Sequence, residues 1–267
     1  MMNLLRRIFL AFVLLGSIQA GIAQQLPEQD LRVLFVGNSV TYVGNLPAVF
    51  SALANANGRS GSSDMIVQGG ATLSQRVQDQ SVREALQLNN YDVLVLQERG
   101  GDLIEAFGPE AARQSETAIA ALAELGQRQE LRVVLLGTYQ QHPDASKALS
   151  EAEAAAALDA GIEYIDLSNN LHNAAKANPD LEWFASDSMH PGNDLTLLAA
   201  VLLFETIIGE LPQAKAFQVE APIYGVKSGL SPELRNSHDD APLVTTIGTT
   251  YNEVSVSRWI DALQQSE

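Results

Sequence analysis

The apolar positions of this chain fall into short β-rich runs that alternate with longer stretches at helical spacing. Val33 to Val36 is an apolar run too short for a helix and rich in β-formers, as a buried parallel strand should be. It breaks at Gly37-Asn38-Ser39. A helical pattern follows from about Leu46, with Pro47 acceptable in its first turn and Asn57-Gly58 stopping it. The alternation then recurs, predicting strands over 65–67, 91–98, 133–138 and 162–167 and helices over 73–88, 109–128, 146–160 and 193–208. Such strict alternation predicts an α/β fold, a three-layer α/β/α domain over 30–210 with a mostly parallel central sheet. No internal repeat or low-complexity linker interrupts it.

The pattern changes after residue 210. Pro212, Pro222, Pro232, Gly225 and Gly229 predict mostly loop up to about residue 240, and Asn252 is placed to cap a final helix carrying Val256, Trp259, Ile260 and Leu263. Residues 211–267 therefore read as a C-terminal extension packed on the same domain, too short and too poor in apolar residues to be a second one. At the other end, Arg6 and Arg7 precede an apolar run from Ile8 to Leu15, and small residues follow at Gly21 and Ala23. This is the organisation of a secretory signal peptide over 1–23, best cleaved after Ala23, with Ala20 as the alternative. The run is too short for a comfortable membrane span. The expectation is an exported protein, periplasmic or secreted, soluble after cleavage and without stable membrane insertion.

Composition narrows the partners. The chain has no cysteine, so it rests on its core without disulfides and carries no lipid-modified N-terminus. Its formal net charge of −16 argues against nucleic acid and anionic membranes, both of which need basic patches. Acidity itself is more often a matter of solubility than of function.

Chemistry is expected where strands end, because ligands of open α/β sheets bind outside the carboxyl ends of the strands. Those ends are Gly37-Asn38-Ser39, Gln68-Gly69-Gly70, Gln97-Glu98-Arg99 and Thr138-Tyr139-Gln140. Ser39 supplies a hydroxyl, Gly70 a backbone N–H open to close approach, and Gln97 a side-chain amide. A nucleophile flanked by fixed donors is what acyl transfer requires, since charge builds on the carbonyl oxygen. Alone, Asn38 and Ser39 would more often turn the chain and cap a helix. The base comes from Asp187-Ser188-Met189-His190-Pro191, where Asp187 can accept from one ring nitrogen of His190 while the other faces the serine.

Rival assignments are weaker. His142 follows the fourth strand and is a candidate pocket residue, with Asn38 and Glu98, although a loop residue without a role is the commoner case. His172 reads as structural and His238 as an exposed polar turn, while Asp166 is a rival for the acid. No His or carboxylate cluster has metal-ligand spacing, and residues 37–44 match neither dinucleotide-binding nor P-loop patterns. No metal and no cofactor are expected.

Three blocks together resemble the SGNH (GDSL-like) hydrolases: Val36-Gly37-Asn38-Ser39, Gly69-Gly70-Ala71-Thr72, and Asp187 to Pro191 before an apolar helix. The resemblance runs from about Arg32 to Ile208. It implies a flavodoxin-like fold and a metal-free esterase, with Ser39 as nucleophile, His190 as general base and then acid, Asp187 as its orienter, and the N–H groups of Ser39 and Gly70 as oxyanion hole. The chain departs from the family at the third block, where Leu96-Gln97-Glu98 stands in place of an asparagine; some SGNH-like sequences carry a similar Gln-Glu, and Gln97 is the candidate third donor. The reading is an exported serine esterase acting on acetyl or other small acyl esters of a carbohydrate or similar small molecule. Two alternatives use the same fold: a non-catalytic glycan- or peptide-binding protein, and an O-acyltransferase using the same triad.

Overall fold

The computed structural model describes residues 30–264. Five parallel strands, β1 (Leu31–Gly37), β2 (Gly61–Val67), β3 (Val93–Leu96), β4 (Arg132–Leu136) and β5 (Glu163–Ile165), form the central sheet. Around them, in chain order, run α1 (Ser39–Tyr42), α2 (Leu46–Ala56), α3 (Leu73–Gln78), α4 (Ser81–Leu88), α5 (Pro109–Gln127), α6 (Pro143–Ala160), α7 (Leu167–Ala177) and α8 (Asn193–Ile208). The chain then adds β6 (Phe217–Tyr224), β7 (Arg235–Asn236), β8 (Val244–Tyr251) and α9 (Glu253–Gln264). The sheet order is β5-β4-β3-β1-β2-β7, with β7 antiparallel to β2.

Two apolar layers follow from the alternation of side chains along each strand. Val33 and Phe35 of β1 join Met65, Val67, Val95 and Leu136 in a core against α2 and α8, whereas Leu34 and Val36 join Ile66, Leu94, Leu96 and Leu135 against α3 to α6. Phe35 sits between Met65 and Val95 in register and is fully buried. Helix α8 is buried on nearly every side, which is why Leu195 to Phe204 shows no polar face. The three-layer α/β/α prediction is borne out.

Local boundaries differ from expectation in three places. The helix predicted over 73–88 is two helices, because Gln80 adopts a left-handed φ of 60° and Asp79 accepts the Ser81 N–H at 3.0 Å. β2 begins at Gly61, ahead of its apolar run, since its polar first half pairs with β1 and β7. The stretch over 211–240 is mostly loop, as expected, but it also holds two strands that were not foreseen: β6, which pairs with β8 in a two-stranded antiparallel sheet, and β7, which extends the main one. The proline at 222 is accommodated there at a register irregularity between Val219 and Pro222. Tyr224 of β6 accepts the Gly44 N–H at 3.1 Å, and Asn45 donates to the carbonyls of Pro222 and Ser237, so this segment is fastened to the α1–α2 connection.

The chain proceeds from β1 to one side, β2, and then crosses to the other side, β3. The crevice between the ends of β1 and β3 is thus the topological switch point at which open sheets of this order bind ligands.

Candidate active site

Ser39 is presented by a turn that the sequence leaves little room to alter. A Cβ at Gly37 would stand 2.1 Å from Thr41 Oγ1, so only glycine admits the next turn of chain. Asn38 is the extended N-cap of α1; its Oδ1 accepts the Val40 N–H at 3.2 Å and its Nδ2 donates to the Gln97 carbonyl at 3.4 Å. Thr41 Oγ1 accepts the Asn38 N–H and donates to Gln97 Oε1 at 2.7 Å. Gln97 Nε2 in turn donates to the Gly137 carbonyl at 3.2 Å. This buried chain of amides and hydroxyls ties the ends of β1, β3 and β4 together.

The Gly69-Gly70 turn lies beside it. Gly70 has φ +69°, and a Cβ on Gly69 would approach Tyr42 Oη at 3.1 Å, which places the turn against α1. Arg99, whose guanidinium holds Asp102 at 2.7 and 2.8 Å and stacks over Phe107 at 3.9 Å, reaches the Gly70 carbonyl at 3.5 Å. The N–H groups of Ser39 and Gly70 have no hydrogen-bond partner among the described residues.

The third component is the loop before α8. Asp187 Oδ1 accepts the N–H groups of Met189 and His190, both at 3.0 Å, and Oδ2 lies 2.6 Å from His190 Nδ1. The His190 N–H is the largest of the interactions that hold the Asp187 carboxyl down to about 2, joined by the Met189 N–H and the His190 ring. An ionised Asp187 makes Nδ1 the donor, so a neutral His190 ring carries its proton there and leaves a lone pair on Nε2. Tyr139 and Gln141, just past β4, hold the loop by donating to the carbonyls of Met189 and Ser188. Ser188 is left-handed at φ 57°, which folds Asp187 back onto its own loop. His190 is buried.

Val40, which follows Ser39, and Pro191, which follows His190, line one tight cavity of about 10 Å³ together with Gln97 and Tyr139. The residue after Ser39 and the residue after His190 thus share the walls of one cavity. Neither Ser39 Oγ nor His190 Nε2 has a hydrogen-bond partner among the described residues.

Other expected site residues sit differently. Glu98, a candidate pocket residue, is buried: it accepts from Leu73 N, Arg99 N and Ser115 Oγ, and burial pushes its carboxyl up to about 7. It holds the first turn of α3 and does not line an open pocket. Asn38 is likewise buried and spent on capping. Gln97 is engaged at both ends of its amide, with one Nε2 hydrogen left over, and so acts as a brace. His142 is exposed at the start of α6, and Asp166 caps α7 through Asn169. His172 bonds within its own helix, and His238 sits by Asn236 at the sheet edge. Thr41 and Gln141 were not singled out from sequence, and Tyr139 figured only as part of the fourth strand end. Only Thr41 carried a signal, as the partner three residues after an N-cap asparagine. Among the described residues no group of His, Asp and Glu is gathered in a way that could hold a metal ion.

No protein-family model and no curated protein matches the chain. Solved structures do. A protein assigned to the SGNH hydrolases, from Slackia heliotrinireducens, is similar at 26% identity and a TM-score of 0.55, covering 67% of this chain and 100% of its own. A psychrotrophic esterase from Pseudoalteromonas sp. matches at 15% identity and TM-score 0.52, covering 67% and 97%. A catalytic mutant of an acetylxylan esterase from Geobacillus stearothermophilus matches at 13% and 0.53, covering 68% and 97%. These neighbours bear out the resemblance to the SGNH hydrolases, the Slackia protein at 26% identity and the others in fold. At 15% and 13% identity the two esterases share the α/β/α fold with this chain and no more.

Proposed function

We propose that the chain is an exported serine esterase that removes acetyl or another small acyl group from a carbohydrate or similar ester, with Ser39, His190 and Asp187 as its triad. The observation that carries this reading is the Asp187–His190 pair at 2.6 Å, whose neighbour Pro191 lines the same cavity as Val40, the residue after Ser39. In the proposed sequence His190 Nε2 takes the Ser39 proton as Oγ attacks the acyl carbon, and the N–H groups of Ser39 and Gly70 stabilise the oxyanion. His190 then returns that proton to the departing alcohol, leaving an acyl-Ser39. Water, deprotonated by the same nitrogen, releases the acid and restores the hydroxyl.

The acetyl preference draws support from the acetylxylan esterase among the neighbours. Export draws on the pattern over 1–23, which lies outside the described residues; among those described no helix is long and apolar enough to cross a membrane. Ser39→Ala is expected to lower kcat on a short-chain aryl ester by about 10³-fold or more and to abolish labelling by a fluorophosphonate probe, with the melting temperature nearly unchanged. Full activity in that variant refutes the triad. Glycan binding by an unlabelled wild type would favour the non-catalytic reading instead, for which the commitment of the Gln97 amide is the motivating observation.

A further inference from the structure

The two residues that follow β3 serve two different turns. Side chains of consecutive residues in extended chain point to opposite sides. Gln97 is directed to Thr41, behind the Ser39 turn, whereas Glu98 is directed to α3 and α5. Glu98 is buried. Its Oε1 and Oε2 accept the Leu73 N–H at 3.2 and 3.3 Å; Oε1 also accepts the Arg99 N–H at 2.7 Å, and Ser115 Oγ donates to Oε2 at 2.9 Å. Leu73 is the first residue of α3, so its N–H is one of the donors that a helix cannot satisfy within itself. Among the described residues Glu98 is the only acceptor for that N–H.

Leu73 ends the short stretch that carries Gly70. The near end of that stretch is set by β2, which stops at Val67, and by the Ala71 N–H donated to the Gln68 carbonyl at 3.1 Å. Gly70 itself, at φ +69° with open space around its Cα, contributes no side chain to wedge the turn. The capping box of Thr72 and Gln75 ties α3 to its own start and not to the sheet. The Arg99 contact to the Gly70 carbonyl, at 3.5 Å, is at the limit of a hydrogen bond. Burial of the Leu73 side chain is non-directional. What aims the backbone at the far end of the turn is the Glu98 carboxyl group. We propose that Glu98 is a positioning residue for the Gly70 N–H, fixing it through Leu73 as Gln97 fixes the Ser39 turn through Thr41; this rests on the esterase reading, in which that N–H is an oxyanion donor. The Gln97-Glu98 pair, which stands where the related hydrolases have an asparagine, then braces two backbone donors instead of supplying a third. A misplacement of about 1 Å is enough to be felt in turnover.

The test measures kcat and KM of the full chain on a short-chain aryl ester, with circular dichroism as the control for folding. Glu98→Gln keeps an acceptor for Leu73 and Arg99 and a donor for Ser115, so kcat should stay within about threefold of wild type. Glu98→Ala should lower kcat about 10- to 100-fold with KM changed by less than about threefold, because a displaced donor is missed chiefly in the transition state. If Glu98→Ala does not fold, Glu98→Asp, one methylene too short to reach α3, takes its place with the same expectation. Ser115→Ala removes a bond to the same carboxyl group from the side of α5, and kcat should stay within about twofold whatever the loss in melting temperature. Wild-type kcat in the folded Ala or Asp variant would overturn the assignment. So would a Glu98→Gln variant as slow as Glu98→Ala, or a loss in Ser115→Ala as large as theirs, since activity would then follow charge or stability and not the Leu73 bond. A wild type that no fluorophosphonate labels would instead sink the esterase reading, a result distinct from normal labelling with turnover indifferent to Glu98.

Discussion

Three histidines in this molecule, His172, His190 and His238, have an oxygen on Nδ1, and only at His190 does that oxygen belong to a carboxylate. His172 Nδ1 lies 3.0 Å from the carbonyl of Ser168, one turn back in its own helix, and 3.2 Å from Ser146 Oγ. Ser146 and Ser168 are themselves hydrogen-bonded and buried, so the hydroxyls nearest that ring are closed off between α6 and α7. His190 Nδ1 meets a carboxylate instead, and its Nε2 faces no protein partner among those described. A neutral carbonyl fixes a tautomer; an ionised carboxylate also stabilises the imidazolium that forms when the ring accepts a proton. The charge on the acceptor separates a ring that is only held from the ring proposed as the base.

The largest break in this contrast should come from Asp187→Asn. It keeps the loop's size while removing the charge, and kcat is expected to fall about 10²–10⁴-fold with the fold intact by circular dichroism. Retention of more than a tenth of the activity would mean that His190 does not need its carboxylate. Gln97→Leu tests the brace behind the serine turn. It leaves Thr41 Oγ1 and the Gly137 carbonyl without their partner, and a loss of about 1–3 kcal/mol in urea unfolding is expected. His172→Gln should change kcat by less than about twofold and stability by on the order of 1 kcal/mol. A large loss of activity there would erase the distinction between the two rings.

A further effect concerns pH. Burial pushes Glu98 and Glu153 up to about 7 from an ordinary 4.5, so between those values the folded state keeps protons that the unfolded chain releases. Stability should therefore fall as pH rises from about 4.5 to 7 and level off above it. Asp187 acts with the opposite sign, but its contribution is lost only as pH falls through about 2, outside that window. Glu153→Gln is expected to flatten the slope of melting temperature against pH between 4.5 and 8; an unaltered slope would show that Glu153 is not the titrating group.

Much of this was legible from residue order alone. The apolar runs of β1, β3 and β4 are buried on both faces, so burial wrote itself into composition, and Ser39 and the Asp187/His190 pair stood out because they lie where strands and loops end. The break at Gln80 was not legible, since a left-handed glutamine has no marker and Leu73, Val77, Ala85 and Leu86 read as one inner face across it. The β6–β8 sheet escaped because its prolines and glycines suggest loop, and its pairing joins segments separated by a long excursion.

The two-residue β7 has a consequence for how the molecule behaves in company. It lies antiparallel along Asp64 and Met65, and Ser237 and Asn236 also bond to the Ser63 carbonyl. The outer edge of β2 is thereby closed by a strand too short to recruit another, and the far edge, β5, is only three residues long. The main sheet thus offers little template for edge-to-edge growth. Shortening the chain before Arg235 would remove that cover and leave β2 as a seam along which copies could join.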